Sequence, residues 1–232
     1  MKSIIISILM LMSASAISAQ STYSKISLAK NYTEAANILK TSIDTLNNKE
    51  RAKCYNALVY KNNKVLNAIC EEYDFKRWGR PNRFSELLSE SIPTLVQTCK
   101  DALSCAEYDT KPDEKGKIKP KFLTPLKYKV LIVRPFLVSE GIKKFDAKDY
   151  KMSFDCFSTY IDISLSAIIS ENPAIGQDDP FYTIAYYAAY SACMNNDALS
   201  ALKYIDIAQK DPKVEPDAKE LKEAIQKAMN KQ

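Results

Sequence analysis

The chain contains no histidine at all. That absence excludes zinc sites built on imidazole. It also excludes Ser-His and Cys-His nucleophile pairs in their usual form. None of the six cysteines forms a Cys-x-x-Cys pair, so neither a zinc ribbon nor a dithiol redox motif is written here. Glycine is scarce, at four residues, and β-branched alternation is rare. Apolar residues instead recur at three- and four-residue spacings, the pattern of amphipathic helices. Acidic neighbours occur as Glu71-Glu72 and Asp178-Asp179. They read as solvated charges, on a helix flank and in a loop, and not as two acids facing a shared cleft. No calcium-loop spacing is present. The expectation is therefore a non-enzymatic chain with no catalytic residues, no metal and no cofactor.

What is present points to an all-α fold. Hydrophobic residues make up 46% of the 232 residues and charged residues 26%, a balance that folds rather than staying disordered. The first nineteen residues stand apart. A basic start at Lys2 precedes the apolar run Ile4 to Met12, and "SASAISA" then supplies small residues. This reads as a secretory signal peptide cut after Ala19. The run is shorter than the ~20 residues that span a bilayer, and no later stretch is apolar enough to do so. Loss of Lys2 leaves a net charge of +4, too mild to argue for nucleic acid. Export permits disulfides, but the cysteines sit within helical apolar patterns such as "AKCYNAL" and "YSACM" and read as small buried hydrophobes. Cys99 and Cys105, six apart on one helix, should not pair.

Along the chain, the spacing predicts a short helix to Lys30, a turn at Asn31 and a helix to about Leu46. Asn48 is expected to cap the next helix without a capping box, because Arg51 would stand at the third helical position. That helix runs to about Tyr60, "KNN" interrupts it, and Val65, Ile69 and Tyr73 continue the apolar stripe. "DFKRWGRPNRFSE" is a connector. Its Arg77, Trp78, Arg80 and Arg83 could grip a phosphate, but a loop pinned to the body by Trp78 is the preferred reading. Ser91 to Tyr108 is helical, with Pro93 in the first turn. "DTKPDEKGKIKPK" is a polar loop with five lysines, able to meet an acidic surface or simply solvated. No Gly-Lys-Ser or Gly-Lys-Thr follows its glycine. Thr124-Pro125 begins a helix that Pro135 should break near Arg134. At the C-terminus, Ala218, Leu221, Ala224, Ile225 and Ala228 would form the inner face of a capping helix begun by Pro216-Asp217.

The stretch from Arg134 to Asp211 carries one template twice. In "RPFLVSEGIKKFDAKDYKMSFDCFSTYIDIS", the small residue Gly141 leads to Asp149-Tyr150, then to Ser153 and the large Phe157. In "YTIAYYAAYSACMNNDALSALKYIDIAQKD", the small residue Ala189 leads to Asn196-Asp197, then to Ala201 and Ile205. The turn aspartates lie 48 residues apart. These residues resemble the tetratricopeptide repeat, whose ~34-residue helix–turn–helix units place small side chains where helices cross. "ENPAIGQDDP" would absorb the longer period, and Glu140, Lys144 and Tyr160 depart from the family's pattern. "NYTEAANILKTSI" matches a turn and second helix at Asn31, Tyr32, Ala35, Leu39 and Ser42.

The resemblance implies an α-solenoid of antiparallel helix pairs with a C-terminal capping helix. The organisation is a signal peptide over 1–19, N-terminal hairpins over 20–75, a connector helix and basic loop over 76–124, and repeat-like pairs with the cap over 125–232. It implies repeat packing through Gly141, Tyr150, Ser153, Phe157, Ala189, Ala201 and Ile205. It also implies a partner-binding concave side lined by Val138, Ile142, Phe145, Tyr186, Tyr190 and Met194, unless these residues cover one another or the N-terminal helices. The functional expectation is an exported bacterial interaction module or adaptor. It would bind a protein or peptide in the periplasm or at the outer-membrane periphery of a Gram-negative cell, with no nucleic acid and no membrane span. The alternative is a carbohydrate-associated helical component of an outer-membrane uptake system, using Trp78, Tyr186 and Tyr190 as stacking platforms.

Overall fold

The computed structural model describes residues 21–81, 83–169, 178 and 180–230. The expected signal peptide lies outside them, as does most of the loop "ENPAIGQDDP". The described residues form ten α-helices and no strand. They are α1 (Thr22–Leu28), α2 (Tyr32–Ser42), α3 (Asn48–Lys61), α4 (Asn63–Arg77), α5 (Phe84–Asp109), α6 (Leu123–Asp146), α7 (Tyr150–Leu165), α8 (Phe181–Met194), α9 (Ala198–Ala208) and α10 (Glu215–Met229). Each packs on its neighbours in sequence, giving a solenoid-like arrangement of antiparallel pairs. No helix among the described residues is long and apolar enough to cross a membrane.

Side-chain caps set five of the ten described helix starts. Ser21, Asn31, Asp149 and Asp197 each accept a hydrogen bond from the backbone amide three residues on, satisfying a donor the helix cannot. The start of α3 corrects the sequence reading. Asn47, not Asn48, is the cap, and this places Glu50 at the third helical position. Asn47 Oδ1 accepts from the Glu50 amide at 3.0 Å, and Glu50 Oε2 accepts from the Asn47 amide at 3.0 Å, a complete capping box. The expected interruption after α3 is present as the single residue Asn62. Its buried amide donates to Thr98 Oγ1 at 2.9 Å and fixes the break against α5.

Two prolines behave differently from expectation. Helix α6 runs unbroken through Pro135, and α5 begins at Phe84, which puts Pro93 well inside the helix. Both prolines lie on the exposed side, where water can satisfy the carbonyl that loses its amide partner. The opposite face of α6 buries Val130, Val133, Leu137 and Gly141 on both sides of Pro135. Packing therefore holds the helix together across the missing hydrogen bond.

One apolar core runs from Ala52 of α3 to Ala218 of α10. A second, smaller one joins α1, α2 and the outer face of α3 around Ile26, Leu39 and Leu58. All six cysteines are free thiols. Burial pushes the Cys99, Cys105 and Cys156 thiols up to about 12, so they behave as inert core groups. The capping helix corrects another expectation. Ala218 and Ile225 are buried and Leu221 half-buried, but Ala224 and Ala228 face solvent. The apolar stripe of α10 is narrower than its alanines suggest, because α10 lies mainly along the one helix α9.

Candidate functional site

The two matched hairpins, α6–α7 and α8–α9, share one turn geometry. At the end of α6 the amides of Lys148 and Asp149 donate to the Phe145 and Lys144 carbonyls, both at 2.9 Å. At the end of α8 the amides of Asn196 and Asp197 donate to the Cys193 and Ala192 carbonyls, both at 3.0 Å. Lys148 (φ 61°) and Asn196 (φ 60°) both sit in the left-handed region. This is the Schellman arrangement. In both turns the residue after the left-handed one is an aspartate whose side chain caps the next helix. One helix end and the next helix start are thus fused within three residues.

The repeat-packing residues sit at the helix crossings. Gly141 is buried, and a Cβ there would lie 2.5 Å from Phe157 Cε1, so α6 and α7 approach as they do because the glycine is bare. Phe157, Ser153, Ala189, Ala201 and Ile205 have no solvent exposure. Ser153 Oγ meets Ser191 Oγ at 3.1 Å across the α7–α8 interface. Tyr150 is half-buried, its ring edge-on to Phe145. Of the residues that depart from the repeat pattern, Glu140 is buried and accepts hydrogen bonds from Ser89 and Lys143. The departure is accommodated by polar partners.

The six expected partner-binding residues lie on α6 and α8, the first helices of the two hairpins. Phe145 reaches across to α8, its ring 5.1 Å from Tyr187 and 5.5 Å from Tyr190. Tyr186 stands edge-on to Tyr187 at 5.7 Å. Burial and the nearby Asp217 of α10 push the Tyr186 hydroxyl above its usual range. Val138, Phe145, Tyr186 and Tyr190 are half-buried, whereas Ile142 and Met194 are 45% and 47% exposed. The aromatics therefore partly cover one another and still present a surface, with an aliphatic side chain free on each helix. Tyr187 joins the cluster unanticipated. Its only signal in the sequence is adjacency to Tyr186, because one helical step separates a core-facing from a surface-facing position.

Other sequence readings are corrected. Trp78 does not pin its loop to the body and is 75% exposed. The turn it occupies is closed instead by backbone bonds around left-handed Gly79 (φ 67°). Asp178 is not a purely solvated charge. It accepts from the buried Arg134 guanidinium at 3.1 and 3.2 Å and from the Tyr160 hydroxyl. Arg134 also lies 4.1 Å over the Tyr160 ring. A buried guanidinium needs such an anion, and sequence spacing gave no hint of the pairing. Among the described residues, no three His, Cys, Asp or Glu side chains come together as a metal site would require. Comparison with family models, with curated proteins and with solved structures finds no match to this chain.

Proposed function

We propose that this chain is an exported helical-repeat interaction module of the tetratricopeptide kind, binding a protein or peptide across α6 and α8. The observation that carries the reading is the surface made by Phe145, Tyr186 and Tyr190 with Ile142 and Met194. Tyrosines offer large contact area with a polar tip, and exposed aliphatic residues beside them add burial on docking. Two hairpins with one turn geometry give that surface a rigid base. The proposed setting is the periplasm or the outer-membrane periphery of a Gram-negative bacterium, with the mature chain beginning at Gln20.

A double variant, Ile142→Glu with Met194→Glu, tests it, because both positions are exposed and tolerate charge without unfolding. Affinity capture from envelope extract, read by mass spectrometry, should recover a partner with the parent chain and lose it with the variant. An unchanged melting temperature must accompany the loss. Retention of the same partner by the variant would sink the proposal.

The second reading, a carbohydrate-associated component, draws on a different observation. Trp78 and Tyr128 are highly exposed, with Tyr73 and Phe75 partly so, on and just after α4 and on α6. Exposed rings suit sugar faces, although Tyr186 and Tyr190, expected to share that role, are half-buried among other rings. Glycan binding abolished by Trp78→Ala, with Ile142 and Met194 irrelevant to it, would replace the first proposal.

A further inference from the structure

The loop between α5 and α6 leans against the start of α3 and encloses a cleft of about 560 Å³. Lys49 and Lys53 of α3 line one wall, and Lys111, Lys117, Lys119 and Lys121 of the loop line the other. Only two acids, Asp109 and Asp113, share the lining. The cleft thus holds four positive charges in excess, against a net +5 for the entire chain. Lys111 is offset by Glu107 beside the cleft, which leaves the lining strongly basic.

Both acids are turned toward backbone. Asp109 accepts from the amides of Lys121, Phe122 and Leu123, at 2.7 to 3.2 Å, and so joins the end of α5 to the start of α6. Asp113 Oδ1 accepts from the amides of Lys115 and Lys117 at 2.9 Å each. Those bonds hold its carboxyl below the usual range, so it stays ionised as a loop staple. Asn47 and Asn48 add side-chain bonds from α3 to Glu114 and to the Pro112 carbonyl, both at 3.3 Å. The walls are therefore fixed in the absence of a ligand. Lys111 pairs with Glu107, but Lys49, Lys53, Lys117, Lys119 and Lys121 form no ion pair with the described residues. Lys53 Nζ lies 3.8 Å over the Tyr23 ring, and Asp113 attracts Lys49 and Lys119 without forming an ion pair with either. Tyr108 and Phe122 supply apolar walls between the lysines.

We propose that this cleft is a second binding site, for an extended acidic peptide segment of a partner protein. Lys117, Lys119 and Lys121 alternate along irregular chain, yet all three line the same cleft. Alternate residues of an extended chain share a face. An acidic strand laid alongside would present carboxylates at the same period, about 6.8 Å. Lysines act as point charges and suit single carboxylates, whereas phosphate recognition favours the bidentate fork of arginine, absent from this lining. The site shares no residue with the α6–α8 surface and does not depend on it.

Fluorescence anisotropy with a labelled twelve-residue peptide of alternating Glu and Ser tests the proposal on the chain from Gln20 to Gln232. Binding in the micromolar range at 50 mM NaCl is expected, weakening about tenfold by 300 mM as the Debye length shrinks. Lys117→Glu with Lys119→Glu should weaken it by a further tenfold or more, since reversal adds repulsion as well as removing attraction. Lys210→Glu with Lys213→Glu, and the Ile142/Met194 double variant, should leave it unchanged. The proposal is overturned if the peptide fails to bind below millimolar concentration, or if the Lys117/Lys119 variant binds as well as the parent. Sedimentation with phosphatidylglycerol vesicles by a chain that ignores the peptide would equally overturn it, assigning the lysines to a membrane instead.

Discussion

The hairpins α6–α7 and α8–α9 have the same turn but different crossings. In the first, Gly141 lies bare against Phe157. In the second, the matching positions hold Ala189 and Ile205, both fully buried. A ring is bulkier than a branched aliphatic chain, and the opposite residue is smaller by one methyl. The sum of the two side chains is kept while its division shifts. Interiors packed to crystal density respond to volume at a crossing rather than to residue identity. The turns show the same trade in backbone form. Asn196 tolerates the left-handed conformation, but Lys148 adopts it at a steric cost that the surrounding Schellman bonds must offset.

This comparison can be broken most sharply at Gly141. Gly141→Ala should destabilise by about 1–3 kcal/mol, read from urea unfolding, because its Cβ would collide with the Phe157 ring. Adding Phe157→Leu should recover part of that loss, which would mark the two residues as one packing unit. If Gly141→Ala is neutral, the volume trade is not what spaces these helices.

The N-terminal half offers a contrast in how a buried acid is held. Glu140 of α6 has a lysine partner, whereas among the described residues Asp101 of α5 has only the Tyr32 hydroxyl at 2.8 Å and the Gln97 amide at 3.2 Å. Asp101 is 4% exposed, and burial pushes its carboxyl up to about 6, the two hydrogen bonds only partly opposing this. Between the unfolded value near 3.8 and the folded value near 6, the native state binds the proton more tightly. Ionisation of Asp101 therefore removes stability as pH rises through this window, by about 3 kcal/mol once complete. Asp101→Asn should delete that slope. The difference in unfolding free energy between variant and parent should grow from pH 4 to pH 6 and level off above it. A flat difference would mean that the carboxylate is better solvated than its burial indicates.

The smallest effect is at the turns. Lys148→Gly should stabilise by about 0.5–1 kcal/mol, since glycine adopts positive φ freely. Asn196→Gly should change stability by less than about 0.5 kcal/mol, because asparagine is already tolerated there. Equal responses at the two positions would erase the distinction drawn between the turns.

Much of the fold could be read without coordinates because helix periodicity, caps and small-residue stripes are local. Asp149 and Asp197 announce their turns, and Gly141 and Ala189 announce the crossings. Errors arose where a distant contact overruled a local preference. Pro135 should end a helix, but burial on both sides of it keeps α6 whole. Ala224 and Ala228 should face inward, but no second helix covers them. Trp78 should seek the core, but its turn closes through the backbone. Of the candidate surface, the residues on α6 and α8 were foreseeable from the repeat pattern. The share of each ring left open was not, because Tyr187 enters the cluster from a position one step away.

By itself the sequence determined the all-α class, the positions of most helices, and the two-fold use of one hairpin template. Those follow from spacing and capping, which act over a few residues. Only the tertiary structure decided that Asp178 would neutralise Arg134, that Asp101 would be buried without a cation, and that lysines from α3 and from a loop some sixty residues later would line one cleft. Charges and volumes interact through space, and the chain order of these residues holds no record of which of them will meet.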